Sequence, residues 1–335
     1  MEIRKVQITG GSSYIVSLPK EWIKSTNIQK NDPVGLIVQP DGSLLITPKI
    51  SGEAVQRVKE FEVSGSTDRT YLLRYLVGAY IAGYTTIRIR SKGRLPAFVR
   101  KLVRDFTQMA VGQEVINETD DSITLKDLLN PAEMPFCNTL RRMSVIVKSM
   151  QEDAVTALAT RDAVLAEDVV ARDTEVDRLH WLIARQNHLI LLDMTLSRKM
   201  SIPTGTAMYY FLISRIIERM GDHATRVARN ALILKDREVD GEILAMIGTA
   251  STLALEIFQK SMEAFYCSDI VKANEILKMV PDLEEQSRQI SGRSLQYDAV
   301  TAIPLGSVAD SVRRIGEYSG DICENIINHL IGKEL

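Results

Sequence analysis

Four acidic side chains stand at a spacing that places carboxylates in pairs on one face of a helix. Asp173 and Asp177 form one pair, Glu218 and Asp222 the other, and the members of each pair are four residues apart. Four residues is slightly more than one helical turn, so both carboxylates of a pair project from the same side, at a cost of about 0.2–0.5 kcal/mol per pair. A hard multivalent cation held between two helices would offset this cost, as in carboxylate metal sites of helical bundles.

Arginines near the same carboxylates allow a second interpretation. Five arginines lie close in sequence to one of the two carboxylate pairs: Arg172, Arg178, Arg215, Arg219 and Arg226. A surface ladder of salt bridges would neutralise the carboxylates without a metal. His180 follows Asp177 by three residues and could join a metal cluster or lie at an interface. The spacing alone leaves the metal site and the salt-bridge ladder open.

Gly221 is unusual because glycine inside a long helix costs about 1 kcal/mol relative to alanine. It indicates close approach of another helix or access of a ligand to the backbone. The sequence around Gly221 is similar to a segment downstream, in which Gly316 aligns with Gly221 and Glu317 with Asp222. Residues 175–177 likewise align with residues 282–284. These matches favour an internal duplication of a three-helix bundle over chance similarity.

Long helices are expected to position these residues, because no strand pattern is found after Pro135. Apolar residues recur there at three- and four-residue spacing, which predicts amphipathic helices. Turn residues at 203–205 and 303–306 are expected to separate neighbouring helices. Six helices are predicted, over residues 136–160, 162–197, 205–235, 240–267, 269–295 and 305–332.

The first 130 residues have a different pattern, in which short alternating segments are broken by turn residues. Residues 1–50 predict a β-β-α-β-β unit with strands at 6–9, 14–18, 34–38 and 43–47, a helix over 20–25 and a hairpin turn at 40–42. A unit this small buries little surface alone, so we expect it to dimerise. Residues 51–130 predict a small α/β domain in the order βαβαββ, with both helices on one face of the sheet.

Composition and charge restrict the class of protein. The chain has 335 residues, 45% hydrophobic and 25% charged, which is typical of a globular protein with several domains. Its 41 Lys and Arg against 43 Asp and Glu argue against a protein that coats nucleic acid by charge alone. Cys137, Cys267 and Cys323 are far apart and predict no disulfide framework. Without a signal peptide or a membrane-spanning run in the sequence, we expect a cytoplasmic protein that is not membrane-embedded.

The carboxylate motifs resemble those of the phosphate-uptake regulator (PhoU) family. Glu218-Arg-Met-Gly-Asp222-His-Ala and Asp173-Thr-Glu-Val-Asp177-Arg-Leu carry the resemblance, which extends over about residues 135–335. It implies two three-helix bundles in tandem and a metal site formed by Asp173, Asp177, Glu218 and Asp222. The resemblance further implies a divalent or trivalent metal ion, with iron or zinc expected and magnesium as a further candidate.

The second copy departs from the family motif. Val280 stands where the first carboxylate of the second helix is expected, and Arg313 replaces the glutamate of the third helix. Glu284 and Glu317 remain as candidate metal ligands in this copy. We therefore expect one complete metal site, in the first bundle.

The N-terminal residues resemble the AbrB/SpoVT swapped-hairpin DNA-binding domain, which implies an intertwined homodimer. The resemblance rests on Arg4-Lys5-Val6, Gly11 and the segment Ile15-Val16-Ser17-Leu18-Pro19-Lys20-Glu21-Trp22. The arginines that contact DNA at the first turn in that family are absent from the turn 10–14 of this chain. The remaining candidates for contacts to DNA phosphates are Arg4, Lys5, Lys20 and Lys24. A dimerisation domain that does not bind DNA is the alternative.

A basic segment without a known motif lies in the middle of the chain. Residues 68–104 contain nine Lys and Arg and one acidic residue, Asp68. Further candidates for DNA contacts within it are Arg88, Arg90, Lys92 and Arg94. These side chains could instead bind nucleotide phosphates, face the acidic residues 114–127 in a dimer, or form a solvated basic surface.

Together these expectations divide the chain into a swapped-hairpin domain (1–50), a small α/β domain (51–130) and two bundles (131–238 and 239–335). The expected function is non-enzymatic regulation of phosphate uptake and phosphate-dependent signalling, with a phosphate transporter or signalling protein as partner and DNA bound by the N-terminal domain. A transcription regulator that senses another ligand, or a metal-dependent hydrolase, is the alternative. The sequence has no P-loop, glycine-rich nucleotide motif, Ser/His/Asp set or dense histidine cluster, which argues against catalysis.

Overall fold

A computed structural model describes residues 2–38, 42–48 and 56–332 of the chain, apart from the side chain of Met194. The chain forms two compact units, Met1–Val55 and Gln56–Leu335. The predicted fold class is confirmed, with strand hairpins at the N-terminus, then a small α/β region and then helical bundles. Residues 40 and 41 of the predicted hairpin turn, and the predicted domain boundary at 50–51, lie outside the described residues.

The first unit contains two separate hairpins joined by a short helix. Strand β1 (Gln7–Thr9) pairs with β2 (Ser13–Ile15), helix α1 (Lys20–Ser25) follows, and β3 (Gly35–Val38) pairs with β4 (Leu44–Thr47). Within the described part of this unit, Ile37 is the one buried hydrophobic side chain. Many apolar side chains of the hairpins are exposed, among them Val6, Ile8, Tyr14, Leu36, Val38 and Leu44. This many exposed apolar side chains in a small unit indicate that another surface covers them.

The second unit begins with an α/β layer. Its elements are β5 (Val58–Glu62), α2 (Arg69–Ile81), β6 (Thr86–Arg90), α3 (Ala97–Met109), β7 (Gln113–Glu118) and β8 (Ser122–Asp127). The sheet order is β5-β6-β8-β7, in which β5 is parallel to β6 and the other pairs are antiparallel. Alternate residues such as Ile87, Ile89, Ile123 and Leu125 are buried against α2 and α3, as period-two patterning requires. The opposite face of the sheet is exposed.

The remainder of the second unit is helical. After a short 3₁₀ turn at Pro131–Glu133, the helices are α4 (Phe136–Thr160), α5 (Ala163–Leu192), α6 (Met194–Met200), α7 (Thr204–Leu234), α8 (Gly241–Cys267), α9 (Ile270–Leu277), α10 (Val280–Ser294) and α11 (Ala299–Ile331). Helices α4, α5 and α7 form one bundle, and α8 to α11 form the other. One continuous apolar core runs through both bundles.

Three predicted helix boundaries are wrong. The helix predicted over 162–197 is interrupted at Asp193, whose extended backbone (φ −140°, ψ 98°) ends α5 while its carboxylate caps α6. The helix predicted over 269–295 is interrupted before Pro281, because proline has no N–H to donate to the Leu277 carbonyl and its ring would clash with that carbonyl in a continuous helix. The predicted break at 303–306 is absent, and α11 instead begins after Asp298, whose carboxylate accepts the Thr301 N–H at 2.8 Å.

Pro304 is tolerated inside α11 because of its position near the start of the helix. Proline at this place removes one hydrogen bond, to the carbonyl of Val300. Val300 is exposed, so water can reach its carbonyl in place of the missing N–H. The ring of Pro304 is itself buried in the bundle.

A buried arginine attaches the α/β layer to helix α5. The Arg185 guanidinium donates hydrogen bonds to the carbonyls of Tyr80 and Tyr84 and to the carboxylate of Asp127. The side chains of Arg185 and Asp127 are 2% and 4% exposed, so this ion pair is fully withdrawn from water. Gly83 allows the close contact nearby, because a Cβ there would lie 2.7 Å from Leu189 Cδ2 and its φ is +80°.

Among the described residues, one helix, α8, is long and apolar enough to cross a membrane by length and composition. Its buried residues, which include Ile243, Ile247, Phe258 and Phe265, belong to the bundle core. We therefore describe α8 as a core helix.

Candidate metal centre

Helices α5 and α7 carry the four predicted metal ligands and pack against each other. Helix α5 begins after Asp162, whose carboxylate accepts the Leu165 N–H at 3.0 Å, and α7 begins after Pro203. Their facing sides are apolar and buried, with Val176 and Ile183 on α5 and Ile217 and Ala224 on α7. This packing holds the carboxylate-bearing turns of the two helices next to each other.

Gly221 lies at the contact between these turns. A Cβ at this position would stand 3.4 Å from Val176 Cγ1 and 3.7 Å from Asp173 Oδ1. Helices α5 and α7 therefore lie close together at the turns that carry the carboxylates. Both distances are ordinary van der Waals contacts, so an alanine would also fit.

The carboxylates of the first bundle form one electrostatic group. Burial, followed by the charges of Asp173, Glu218 and Asp222, raises the pKa of Asp177 to about 7. Burial and the charge of Asp222 also raise the pKa of Asp173. Each ionised carboxylate raises the pKa of its neighbours, and partial burial adds to the free-energy cost of ionisation. At neutral pH the cluster therefore retains a proton or requires a cation.

Glu218 is largely enclosed within the cluster. Its side chain is 14% exposed, and burial raises its pKa although Arg215 opposes the shift. Its Oε2 atom is buried and accepts no hydrogen bond within the structure. A buried carboxylate oxygen without a donor is costly, because such groups are almost always satisfied by hydrogen bonds or metal ions.

The carboxylates do not converge on a single point in this arrangement. Across residues 2–38, 42–48 and 56–332, no group of three or more His, Cys, Asp or Glu side chains is arranged to hold a metal ion. Asp222 is exposed, whereas Asp173, Asp177 and Glu218 are half-buried. Ligation by all four side chains would therefore require changes of side-chain rotamer.

A ladder of salt bridges, the alternative interpretation, engages these carboxylates only weakly. Among the described ion pairs, a single one involves any of the four, between Arg215 and Glu218 at 3.6 Å. Arg172 instead pairs with Asp153 at 2.6 Å and Asp168 at 2.9 Å. Arg172 is thus engaged away from the cluster, and Arg215 is the arginine that pairs with it.

The histidines next to the motifs are committed to other contacts. His180 Nδ1 lies 3.0 Å from Ser214 Oγ, and its ring stacks on Phe211. Burial lowers the pKa of His180 to about 4, so the ring is neutral at physiological pH. His223 packs against Tyr318 of the second bundle, and burial likewise lowers its pKa to about 4.

The second copy of the motif lies one helical turn further along α11 than the sequence comparison placed it. A Cβ on Gly320 would face two side chains three residues apart on the neighbouring helical segment, 3.5 Å from Leu277 Cδ2 and Val280 Cγ2, as a Cβ on Gly221 would face Asp173 and Val176. A Cβ on Gly316 would instead face Leu283 and Ile257. The spacing of these contacts favours the alignment of Gly221 with Gly320 over the alignment with Gly316. The corresponding motif is Glu317-Tyr-Ser-Gly-Asp321, which has the same Glu-x-x-Gly-Asp pattern as 218–222.

The corrected register changes which side chains could bind a cation in the second bundle. Leu277 and Pro281 correspond to Asp173 and Asp177, so the second copy lacks both of those carboxylates. The acidic residues that line the equivalent cleft of about 450 Å³ are Glu284, Glu317, Asp321 and Glu324. Sequence reasoning missed Asp321 and Glu324, whereas the recurring Glu-x-x-Gly-Asp pattern could have identified Asp321.

The carboxylates of this second cleft are partly neutralised by arginines. Glu317 pairs with Arg313 and, at 3.1 Å, with Arg314. Burial and the charges of Glu324 and Glu317 raise the pKa of Asp321. The second cleft therefore resembles a salt-bridge network more than the first site does.

The N-terminal candidates for DNA contacts lie on the surface of the first unit. Lys20 and Lys24 are exposed and one turn apart on α1, and Lys5 is exposed in the segment before β1. Arg4 is exposed as well and pairs with Glu2 at 2.9 Å.

The second set of basic candidates is partly neutralised by strand β5. Arg88 and Arg90 lie on the exposed face of β6, and Lys92 and Arg94 follow in the next loop. Arg90 pairs with Glu60 at 3.1 Å, and Lys92 pairs with Glu62 at 3.5 Å. The strand that lies beside β6 thus supplies acidic partners, which the local charge count did not include.

Comparisons with known proteins confirm both resemblances. Residues 140–231 match the PhoU domain family, and residues 7–54 match the family described as antidote-toxin recognition MazE, bacterial antitoxin. The phosphate-specific transport system accessory protein PhoU homolog of Caulobacter vibrioides is 28% identical over 202 residues, which cover 58% of this chain and 86% of that protein.

Solved structures show the same fold for the helical region. PhoU from Pseudomonas aeruginosa aligns with a TM-score of 0.52 and 19% identity, covering 59% of this chain and 96% of that one. The phosphate transport system regulatory protein PhoU from Streptococcus pneumoniae aligns with a TM-score of 0.51 and 19% identity, covering 59% and 94%. Residues 56–130 lie outside both matched family segments.

Proposed function

We propose that this chain, whose helical region is similar to PhoU proteins, is a non-enzymatic regulator of phosphate transport that binds a metal ion in its first bundle. Its relatives are accessory proteins of phosphate-specific transport systems, which supports a regulatory role. The observation that carries the metal site is the buried, unpaired Glu218 Oε2 beside a carboxylate, Asp177, whose pKa is raised to about 7.

The donor set fits a hard cation. Asp173 and Asp177 from α5 and Glu218 and Asp222 from α7 would supply carboxylate oxygens, which iron, zinc and magnesium all accept. The bound ion would neutralise charge between the two helices. Arg215 would orient Glu218, with which it pairs at 3.6 Å.

The experiment is metal titration of the purified, chelator-treated full chain by calorimetry, with metal analysis after dialysis. We expect one tight site in the wild type and at least tenfold weaker binding in Asp177→Asn and Glu218→Gln. Glu167→Gln, which removes an exposed charge from the same helix, is the matched control. Unchanged stoichiometric metal in both site variants would exclude the assignment.

The first unit is proposed to dimerise and to bind DNA through Arg4, Lys5, Lys20 and Lys24. Its exposed apolar hairpins support a dimer, and its match to the MazE family supports the swapped-hairpin type. Affinity for DNA should fall steeply with salt, and Arg4→Ala with Lys5→Ala should reduce both the affinity and the salt dependence. An unchanged affinity in that double variant would leave dimerisation as the role of this unit.

Regulation of transport is tested separately, by capture of proteins from cells grown at high and low phosphate. The expected result is a phosphate-dependent association with a phosphate transporter or a sensor kinase. This readout does not depend on metal binding, so the two parts of the proposal can fail independently.

A further inference from the structure

Strand β5 lies at the edge of the four-stranded sheet, next to an open cleft. The order β5-β6-β8-β7 leaves one side of β5 without a neighbouring strand in the described part of the chain. The cleft beside it has a volume of about 800 Å³, and helix α2 forms its other wall. Its volume falls within the range of ligand-binding clefts in proteins.

The backbone of β5 offers hydrogen-bonding groups on this free side. On the paired side, the Val63 N–H donates to the Arg90 carbonyl at 2.8 Å, and the Arg57 carbonyl accepts the Thr86 N–H at 3.1 Å. Alternate residues of a strand bond to the same neighbour. The residues whose backbone groups face the free side are therefore Val58, Glu60 and Glu62.

Aromatic side chains line the helical wall of the cleft. The ring of Tyr75 stacks on Phe61 of β5 with centroids 5.6 Å apart, and it lies 4.2 Å from the ring of Tyr71. Tyr71 and Tyr75 are 51% and 44% exposed although they belong to a helix that covers the sheet. Exposed tyrosines in a cleft are typical of protein-recognition surfaces, since they combine apolar area with hydrogen-bonding hydroxyls.

The strand already paired with β5 indicates what chemistry the free side would accept. On β6, Ile87 and Ile89 point to the helical side, while Arg88 and Arg90 lie opposite Glu60 and Glu62 on the exposed face. A strand on the other side of β5 would meet the same two environments. Apolar side chains would enter the aromatic cleft, and basic side chains would lie beside the glutamates.

The ion pairs of these glutamates leave room for further donors. Glu60 and Glu62 are 46% and 65% exposed and each pairs with one cation. A carboxylate has about four acceptor positions, so each can accept another basic group.

A second copy of the chain is a poor occupant of this edge. Antiparallel pairing of β5 about a two-fold axis can be centred on Lys59, Glu60 or Phe61. These registers place Lys59 opposite Lys59, Glu60 opposite Glu60, or Glu60 opposite Glu62. Like charges directly opposite each other destabilise a strand pair.

We propose that the cleft between β5 and α2 binds an extended segment of another protein, which adds to β5 as a strand and carries alternating apolar and basic side chains. Backbone hydrogen bonds would supply affinity, and the alternating pockets would supply specificity. The proposal does not rest on the metal site or on DNA binding, and it gives a role to residues 56–130.

The test begins with selection of phage-displayed random dodecapeptides on the immobilised full chain. Enriched peptides are synthesised, and their affinity for the chain is measured by fluorescence anisotropy. We expect enriched sequences that alternate apolar residues with Lys or Arg. Bound peptide should also slow amide hydrogen exchange at Glu60 and Glu62.

A pair of variants at one position separates backbone pairing from charge. Glu60→Pro removes the N–H that faces the free side, which edge strands tolerate, whereas Glu60→Ala removes only the carboxylate. We expect Glu60→Pro to weaken peptide binding at least tenfold relative to Glu60→Ala. Thermal unfolding checks that both variants are folded. If Glu60→Pro is not folded, the double variant Tyr71→Ser with Tyr75→Ser replaces it, since both tyrosines are exposed. We expect the same tenfold loss of peptide affinity in that variant.

Three outcomes would overturn the proposal. One is a selection that enriches no peptide, and another is equal affinity of enriched peptides for the proline and alanine variants. The third is self-association of the chain that Glu60→Pro abolishes and that no peptide inhibits. That result would assign the edge of β5 to a second copy of the chain.

Discussion

A buried carboxylate oxygen that lacks a donor distinguishes the first bundle from the second at the scale of single residues. Glu218 Oε2 is buried without a donor, whereas Glu317 of the second bundle pairs with two arginines. The same Glu-x-x-Gly-Asp pattern therefore has two electrostatic outcomes, set by the side chains around it. In the first bundle the excess negative charge makes a proton or a cation part of the folded state.

Substitution of Asp177 by asparagine should stabilise the metal-free chain at alkaline pH. Its folded pKa of about 7 is above the ordinary value of 3.8, so its contribution to stability is fully present below about pH 3.8 and is lost progressively as the pH rises to about 7. We expect the gain in unfolding free energy from Asp177→Asn to be smaller at pH 5, where only part of the contribution is lost, and to reach about 1–3 kcal/mol at pH 8, a range reduced for contact with water.

The measurement for Asp177→Asn is urea unfolding in the presence of a chelator at both pH values. Glu167→Gln is the control for the loss of one negative charge from α5 and should show no pH-dependent difference. A gain of equal size at pH 5 and pH 8 would contradict the raised pKa.

Gly316 should be the least replaceable of the glycines in the helices. A Cβ there would stand 2.1 Å from Leu283 Cδ2, and Leu283 is fully buried, so it has little room to move. We expect Gly316→Ala to lower the unfolding free energy by about 1–3 kcal/mol, as overpacking does. Gly292→Ala meets open space on α10 and should raise it by up to about 1 kcal/mol. The unfolding free energies of the two variants are measured by chemical unfolding. Equal changes in the two variants would be inconsistent with the packing at Gly316.

Helix α5 is the element that joins the carboxylate cluster to the α/β layer. It carries Asp173 and Asp177 near its middle and Arg185 two turns further on. The Arg185 guanidinium closes a buried network with Asp127 and two carbonyls of the α/β layer. Any shift of α5 along its axis would therefore move both the carboxylate cluster and the Arg185 network.

Removal of the Arg185 guanidinium should destabilise the second unit strongly. Arg185→Met leaves the Asp127 carboxylate buried without its partner, which we expect to cost about 3–5 kcal/mol in urea unfolding. Arg185→Met combined with Asp127→Asn removes the unpaired charge and should recover part of the loss. A cost below about 1 kcal/mol for the single variant would show that water reaches Asp127.

The helices were predictable from sequence where their ends carry local signals, and not where packing decides. The ends of α4 and α8 follow from periodicity and turn residues, within one residue of the predicted limits. The sequence predicts a break at Pro304 because proline usually ends a helix, but near the start of α11 proline costs only one hydrogen bond, at an exposed position. The repeat has two possible registers, because a glycine followed by an acid occurs at both 316–317 and 320–321. The Glu-x-x-Gly-Asp pattern and the contact of Gly320 with Leu277 and Val280 both favour the second register.

At the scale of the whole molecule, charges that are distant in the sequence compensate each other in space. The basic segment that begins at Asp68 looked unpaired, but parallel pairing of β5 and β6 brings Glu60 and Glu62 beside Arg90 and Lys92. Local composition does not reveal the neutralisation of these basic side chains or the cleft at the sheet edge, because both depend on the order of the strands in the sheet.

The apolar hairpins of the first unit predict that the chain is a dimer. Val38 and Leu44 are paired across β3 and β4, and they are 71% and 54% exposed in a single chain. An apolar face of this kind is expected to be buried by the same unit of a second chain. We expect Val38→Asp to convert the dimer to a monomer in sedimentation velocity experiments, because a carboxylate would be desolvated in the interface. Val164→Asp, at an exposed valine of the second unit, should leave the dimer intact. A Val38→Asp chain that sediments as the wild-type dimer would move the interface elsewhere, and the hairpins would then need a different partner.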